Sequence, residues 1–395
     1  MKIIERDYLN KLIGVIGTPD IKIITGVRRS GKSKLLSQFK EYIEKYIENY
    51  NIIDINFNEL KYENLKEYHA LNDYVESKYI AKKKNFVLID EVQMCEGFEK
   101  VINSFHASEK YDIYITGSNA FLLSSDLATL FTGRTFEIEI FPFSFKEFIK
   151  YYNYTDLDEA FKKYILNGGM SGSYLYENEK DKYKYILDVY KTLIVRDINE
   201  KYKIRNEDLL DSLTNFMMDN ISNITSIRNI TNSLKRADDT LNHKTIGSYI
   251  QYLCNAFLFY KVRRYDIQGK RYLESQDKYY LVDSTFKYAK LGMKNMNYGR
   301  NYENIVAIEL LRRGYEIYVG ELYSCEVDFV AMKRDEKLYI QVSDNIDDDK
   351  TLEREVRPLL KIKDAYPKII IARTKHNMYL YEGIRIYDIA KWLAE

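Results

Sequence analysis

The sequence contains few of the residues from which disulfide frameworks and metal centres are built. Its 395 residues include three cysteines and four histidines, all scattered along the chain. Scattered thiols in odd number predict neither disulfides nor a zinc site, and they are typical of a reducing cytoplasm. The formal net charge is only +1, so the chain as a whole lacks the electrostatic signature of a nucleic-acid-binding protein.

Long apolar runs are absent as well. No run approaches the roughly 18 residues needed to cross a bilayer, and charged residues within the first seven positions argue against a secretory signal. We therefore expect a cytoplasmic protein with no membrane partner. Because 46% of the residues are hydrophobic, real cores can form, and the length predicts two or three domains.

The most informative motif present is a glycine-rich phosphate-binding loop, or P-loop, at residues 26–33. The residues predicted to bind nucleotide are Gly26, Val27, Arg28, Arg29, Ser30, Gly31, Lys32, Ser33 and Lys34. The glycines free the backbone so that N–H groups can point at phosphate oxygens, and the following helix adds its positive N-terminal end. Lys32 would reach the β- and γ-phosphates, and the Ser33 hydroxyl would bind Mg²⁺.

A second motif places two acids at the end of a buried strand. Residues 86–89 are all apolar, which suits a strand covered on both faces of a parallel sheet. Asp90 would hold Mg²⁺ through water, and Glu91 would polarise the attacking water. The two motifs together predict ATP and Mg²⁺ as ligands.

Two further catalytic candidates follow the predicted strand at 111–116. Asn119 would contact the γ-phosphate or the lytic water, unless it is simply a turn residue. Arg134 would serve as an arginine finger, in its own subunit or in a neighbouring subunit of a homo-oligomer. The plainer alternative is an ordinary surface arginine.

The pattern of helices and strands divides the chain into four segments. Residues 1–150 alternate strand and helix, which predicts an α/β fold with a parallel sheet. Residues 151–205 form a helical lid or linker, in which Arg196 and Asp197 make a solvated ion pair or, alternatively, Arg196 senses the nucleotide. Residues 206–290 contain three helices and a hairpin, which suggests a winged helix. Residues 291–395 form another α/β domain, with a predicted helix at 302–313, strands at 316–319, 326–331 and 338–342, a helix at 351–363, a strand at 368–372 and a final helix near 388–394.

The predicted hairpin is basic. Four cations would lie on or near the wing: Arg263, Arg264, Lys270 and Arg271. They could contact DNA phosphates, which would give affinity without sequence specificity. The alternative is a winged helix that docks a protein and carries ordinary surface charges.

The last segment has the layout of a metal-dependent nuclease core. Glu303 on a helix and Asp328 on a strand would supply carboxylates for Mg²⁺. An active nuclease would carry an acid and a lysine on the next strand, where this chain has Gln341 and Ser343. We therefore predict a nuclease-shaped but catalytically degenerate domain. An unusual active enzyme that uses Glu326 as a substitute ligand is the alternative.

These motifs together resemble the archaeal and bacterial ATP-binding proteins that join an AAA-type ATPase module to a C-terminal domain of unknown function. The segments that carry the resemblance are residues 26–33, 86–93, 116–134, 141–148, 167–170, 192–198 and 302–330. The resemblance implies an AAA-type P-loop core, a winged helix and a C-terminal restriction-endonuclease-like, or PD-(D/E)XK-like, fold. It also assigns Asn119 to a sensor position.

Three functions remain in competition. The leading one is an ATP-hydrolysing switch that moves a winged-helix and C-terminal arm bound to DNA or to a protein partner. The second is an ATP-dependent DNA nuclease, and the third is an interaction scaffold in which ATP is a structural ligand.

Overall fold

The computed structural model describes residues 4–117, 131, 133–235, 241–293, 297–322, 325–374 and 376–395. The chain divides into two compact units. Unit 1 comprises residues 1–140, 193–201 and 255–257, and unit 2 comprises residues 141–192, 202–254 and 258–395. The predicted boundaries at 150, 205 and 290 differ from this division, because the chain passes between the units more than once. Within the described ranges, no helix is both long and apolar enough to span a bilayer.

Unit 1 is built on one five-stranded sheet with the order β2-β3-β4-β1-β5. Its strands are β1 (Ile21–Thr25), β2 (Tyr50–Asn56), β3 (Lys84–Asp90), β4 (Tyr111–Thr116) and β5 (Thr135–Glu139). Its helices are α1 (Asp7–Ile13), α2 (Lys32–Tyr46), α3 (Tyr68–Ser77) and α4 (Phe98–Ser108). Every strand pair is parallel, so the predicted α/β class and parallel sheet are confirmed.

The register of this sheet aligns the ends of its central strands. Ile24 of β1 lies beside Thr116 of β4, and Ile89 of β3 lies beside Ile115 of β4. Six of the seven residues of β3 are buried, as the apolar run predicts. The P-loop after β1 and the acids at the end of β3 are therefore at the same edge of the sheet.

Unit 2 contains most of the helices. They are α5 (Phe145–Tyr152), α6 (Leu157–Asn167), α7 (Glu179–Thr192), α8 (Glu207–Asp219), α9 (Ile227–Leu234), α10 (His243–Asn255), α11 (Thr285–Leu291), α12 (Tyr298–Arg312), α13 (Asp349–Leu360) and α14 (Ile389–Ala394). Its strands are β6 (Phe259–Asp266), β7 (Arg271–Leu281), β8 (Glu316–Leu322), β9 (Cys325–Lys333), β10 (Glu336–Ser343), β11 (Lys368–Ala372), β12 (Tyr379–Tyr381) and β13 (Ile384–Asp388).

One eight-stranded sheet joins the predicted winged-helix and C-terminal segments. Its order is β12-β13-β11-β10-β9-β8-β6-β7. The predicted hairpin is present as β6 and β7, but β6 also pairs in parallel with β8 between Arg264 and Asp266. The hairpin is thus an edge of this sheet rather than an isolated wing. The helix, three strands, helix and strand from α12 to β11 follow the order expected for the C-terminal segment.

Two segments of the family resemblance have structural roles in unit 2. Ser144 and Glu147 form a reciprocal capping box at the start of α5. The Phe143 N–H donates to the Gly169 carbonyl over 2.7 Å, and the Gly169 N–H donates to Asp283 over 2.6 Å. A Cβ on Gly169 would lie 2.2 Å from the Phe143 carbonyl oxygen, so this close approach requires glycine.

Candidate functional site

The P-loop has the backbone geometry that phosphate binding requires. Gly26 and Gly31 have φ values of 132° and 105°, which favour glycine. A Cβ on Gly26 would lie 2.1 Å from the Ile140 carbonyl oxygen, so the loop passes too close to the end of β5 for any side chain. Arg29 also has a positive φ, 66°, and such strain in a non-glycine residue is frequent at functional sites.

The start of α2 is arranged to receive an anion. Gly31 provides no side-chain cap, and the first turn contains no acidic residue, so its N–H groups are left for a ligand. Buried Arg6 donates to the Ser30 carbonyl over 2.8 Å, which supports the loop from α1. The sequence analysis did not identify Arg6. The predicted nucleotide contacts Ser33 and Lys34 lie in the first turn of α2, exposed to solvent.

Lys32 lies inside this loop. Its ammonium donates to the carbonyls of Gly26 and Val27, over 2.9 and 3.2 Å. Burial lowers the pKa of Lys32, and the negative charges of Glu91 and Asp197 oppose that effect. An incoming phosphate would replace carbonyl dipoles with full negative charge, which is a stronger partner for an ammonium.

Asp90 is the best-placed metal ligand of the site. Its Oδ1 accepts a hydrogen bond from the Thr116 hydroxyl. Burial raises the pKa of Asp90, although the hydroxyls of Thr116 and Ser33 oppose that effect. Among the described residues, buried Oδ2 has no hydrogen-bonding partner. A hydroxyl and a carboxylate with an unpaired oxygen are suitable for Mg²⁺, so the residues fit the metal that the sequence predicts.

Glu91 is held in place by its backbone and by one neighbour. Its φ and ψ are 60° and 47°, an uncommon conformation for a non-glycine residue. The Glu91 N–H donates to the Thr116 hydroxyl over 3.1 Å, and Gln93 donates to its carboxylate over 2.6 Å. Thr116 therefore orients both acids. The sequence analysis did not single out Thr116 or Gln93, although a polar residue at a strand end next to the acids was a usable signal.

Arg28 forms a two-pronged ion pair with Asp197. Its Nε and Nη2 donate to the two carboxylate oxygens over 3.1 and 2.6 Å. Asp197 belongs to a π-helix, Leu193–Glu200, and is 3% exposed. The solvated Arg196–Asp197 pair that we considered is therefore wrong: Asp197 is buried against the P-loop, and Arg196 is exposed.

The remaining catalytic candidates are Asn119 and Arg134. Asn119 lies outside the described residues. Arg134 is exposed, and its carbonyl accepts a hydrogen bond from the N–H of Ile21 at the start of β1. The P-loop follows the other end of β1, roughly 13 Å away at 3.3 Å per residue. The geometry does not favour Arg134 as a finger in its own subunit and leaves the neighbouring-subunit role as a prediction.

Two of the four hairpin cations that were predicted to contact DNA form ion pairs with acidic side chains. Arg264 pairs with Glu321 over 2.9 Å, and Arg271 pairs with Asp266 over 3.3 Å. Lys270 lies in the turn between β6 and β7 and, like Arg263, is exposed. Arg264 pairs with Glu321 because β6 runs beside β8. Arg263 and Lys270 are therefore the better candidates for phosphate contacts.

A second polar cluster lies in unit 2, around Lys278 of β7. Its ammonium is 2.8 Å from Glu303, 2.6 Å from Glu326 and 3.8 Å from Asp328. The Tyr280 hydroxyl also donates to Glu303, over 2.7 Å. Burial alone would lower the pKa of Lys278, but the three carboxylates outweigh it and raise the pKa. Lys278 was not among the predicted site residues, because its strand was expected to belong to a different domain from Glu303 and Asp328.

This cluster does not have the arrangement of a metal-dependent nuclease site. A buried ammonium lies among the carboxylates that a metal would need, and Gln341 accepts a hydrogen bond from the Asp328 N–H over 3.3 Å. The described part of the chain contains no group of three or more His, Cys, Asp or Glu placed to hold a metal ion. The positive charge that Glu303, Glu326 and Asp328 share comes from Lys278.

A basic face lies next to this cluster. One side of α13 and the residue after it border an open groove of about 510 Å³ that also includes Glu326 and Glu353. The cations of this face are Lys350, Arg354, Arg357 and Lys361. Arg354 pairs with buried Glu355 over 2.7 Å. The spacing of these residues on one helix was a signal that the sequence analysis overlooked.

The parallel sheet, the P-loop and the paired acids define a P-loop protein of the nucleoside-triphosphate-binding class. Residues 18–149 match the AAA domain family, and residues 158–297 match a domain of unknown function. An "Uncharacterized protein" of Haemophilus influenzae is 38% identical over 99% of this chain and 98% of its own length. The chain belongs to the family that this relative represents, proteins that join an AAA domain to a domain of unknown function.

The family extends to archaea. An uncharacterized protein of Methanocaldococcus jannaschii is 30% identical over 92% of this chain and 82% of its own length. Among solved structures, AMPPCP-bound DnaA from Aquifex aeolicus is 18% identical, with 62% of this chain and 86% of that chain covered and a TM-score of 0.33. That likeness is distant and carries no functional assignment.

Proposed function

We propose that the protein is an ATP-hydrolysing switch. The observation that carries this proposal is the environment of Asp90: its buried Oδ2 has no partner among the described residues, while its Oδ1 accepts a hydrogen bond from the Thr116 hydroxyl. An unpaired buried carboxylate oxygen is costly unless a ligand completes it. Mg²⁺ bound with ATP would remove that cost.

Each residue of the site then has a chemical role. The N–H groups of the P-loop and of the first turn of α2 would hold the phosphates, and Lys32 would exchange its carbonyl partners for phosphate oxygens. Ser33 and Asp90 would hold Mg²⁺, which neutralises phosphate charge when bound. Glu91 would accept the proton of the attacking water. Thr116 and Gln93 would position Glu91.

Hydrolysis would be coupled to a partner through unit 2. We propose nucleic acid as the first partner to test, because the α13 face concentrates cations beside the Lys278 cluster and such a surface attracts phosphates in a salt-dependent manner. A protein partner is the other possibility, and a homo-oligomer would give Arg134 a neighbouring site. The nuclease hypothesis is weaker, because Lys278 lies among its carboxylates.

The test is steady-state ATP hydrolysis by the purified protein, with and without duplex and single-stranded DNA, beside Lys32→Ala. We expect Mg²⁺-dependent turnover that the variant loses, since it removes the phosphate-binding ammonium. Stimulation by DNA that falls as salt rises would assign the partner to nucleic acid, and turnover indifferent to DNA would direct the search to proteins. Tight ATP binding with negligible turnover would support the scaffold and refute the switch.

A further inference from the structure

A short segment from the middle of the chain is a structural part of unit 1. Residues 193–201 belong to unit 1, although the chain before and after them belongs to unit 2. Most of this segment is the π-helix Leu193–Glu200. The π-helix is rare and often occurs at functional sites. Any displacement of this segment would be passed directly along the backbone into residues of unit 2.

The segment is joined to the P-loop by Asp197. The two hydrogen bonds to Arg28, 3.1 and 2.6 Å long, have the fork geometry of strong charge-assisted pairs. Burial alone would lower the pKa of Arg28, but the hydrogen bond and charge of Asp197 outweigh it and raise the pKa. The pair also adjoins the predicted chemistry, since Glu91 acts electrostatically on Arg28 and Asp197 acts on Lys32.

A bound triphosphate would compete for this arginine. It would bring several negative charges to the loop that contains Arg28, and it would also repel the Asp197 carboxylate. Both effects weaken the ion pair, and its buried carboxylate would then lose its main stabilising partner. Removal of the γ-phosphate would reduce the competition and allow the pair to form again.

We propose that the Arg28–Asp197 pair is a nucleotide-dependent latch: ATP loosens the π-helix from the P-loop, and hydrolysis restores it. This inference rests on the proposed ATP site and adds its coupling element. Asp197 acts on the nucleotide through Arg28 and is therefore a positioning residue. Because coupling is reciprocal, an ion pair that ATP must weaken also reduces the affinity for ATP.

Because of this reciprocity, a latch and a purely structural ion pair predict different ATP affinities for a variant that lacks the Asp197 charge. Asp197→Asn should bind ATP more tightly than the wild-type protein, by about 5-fold or more within the usual 5- to 150-fold range of coupling. A merely structural carboxylate would, when replaced, leave ATP affinity unchanged or lower it. The matched control is Asp54→Asn, which breaks the half-buried pair between Lys40 and Asp54 of the same unit and should not alter affinity.

Hydrogen exchange in residues 193–201 provides the second measurement. In a Glu91→Gln background, which prevents turnover, ATP should increase amide exchange of the segment several-fold. In Asp197→Asn the exchange should be fast with and without ATP. Arg28→Lys keeps the positive charge but cannot form the two-pronged pair with Asp197. Without nucleotide, amide exchange of residues 193–201 in this variant should therefore rise toward the ATP-bound level. This variant tests the latch even if Asp197→Asn folds poorly.

The outcomes separate the latch from the ATP site itself. Glu91→Gln protein that binds ATP with unchanged exchange in residues 193–201, or Asp197→Asn with unchanged or weaker ATP affinity, would overturn the latch alone. Wild-type protein that binds no ATP in the same titration would refute the proposed function, and with it the latch.

Discussion

Glu91→Gln should bind ATP normally and hydrolyse it about 10²- to 10⁴-fold more slowly, the usual contribution of general base catalysis. Glutamine keeps the size of the side chain but cannot accept the proton of the attacking water. The residues proposed to bind phosphate and metal, Lys32, Ser33 and Asp90, are unchanged, so binding should be preserved. The measurement is kcat from steady-state turnover together with the dissociation constant of a fluorescent ATP analogue.

Glu96→Gln is the matched control for this variant. Glu96 is exposed and lies five positions after Glu91, so the same chemical change should leave kcat unaffected. Gln93→Ala should have an intermediate effect, because it releases the Glu91 carboxylate from a 2.6 Å hydrogen bond without removing the base. Turnover of Glu91→Gln equal to that of the wild-type protein would contradict the catalytic assignment.

Lys278→Met should destabilise the protein by about 3–5 kcal/mol, the range for removing one partner of a buried ion pair. The ammonium that pairs with Glu303 and Asp328 is lost, while both carboxylates stay largely buried, 8% exposed each. The free energy of unfolding from denaturant titration is the measurement. Lys287→Met is the control, because its partner Asp219 is largely exposed and such pairs contribute about 0–1 kcal/mol.

The destabilisation by Lys278→Met should also depend on pH. Burial raises the pKa of Glu303 in the folded protein, and Lys278 normally lowers it, so the variant raises it further. An acid whose folded pKa exceeds its unfolded pKa binds more protons when folded, and stability then decreases as pH rises through that window. The loss in free energy of unfolding caused by Lys278→Met should therefore become smaller as pH is lowered from about 8 toward about 5.

A second substitution tests whether uncompensated charge is the cause. Adding Glu303→Gln to Lys278→Met removes one buried negative charge, and the amide oxygen that replaces the carboxylate could still accept a hydrogen bond from Tyr280. The double variant should regain part of the lost stability at neutral pH. A double variant less stable than Lys278→Met would show that the cluster stabilises the protein in another way.

The sequence predicted the parts of the site that depend on local pattern. The P-loop and the strand that ends in Asp90 and Glu91 are each defined by a few neighbouring residues, and parallel pairing brings them together. The contacts of Arg28 and Lys278 were missed because they join distant positions; Arg28 and Asp197 are 169 residues apart. Hydrophobic periodicity describes residues within one helix or strand and does not indicate such pairs.

The C-terminal sheet illustrates a different kind of failure. Strands β8 to β11 were predicted within a few residues, but the hairpin of β12 and β13 was not. Its turn residues, Glu382 and Gly383, both have positive φ, 48° and 79°. Asparagine or aspartate before glycine is the usual sequence signal for such a turn. This turn has glutamate before glycine, so the sequence did not indicate it.

The division of unit 1 into three stretches of sequence has a consequence for its synthesis. The strands and the P-loop are complete once residue 140 has been made, but residues 193–201 and 255–257 of the same unit come later. At about 5–20 residues per second, the ribosome needs several more seconds to supply Asp197 to Arg28. The nascent proposed ATP site would thus wait for the partner of its P-loop arginine until residues 141–192 of the second unit have been made.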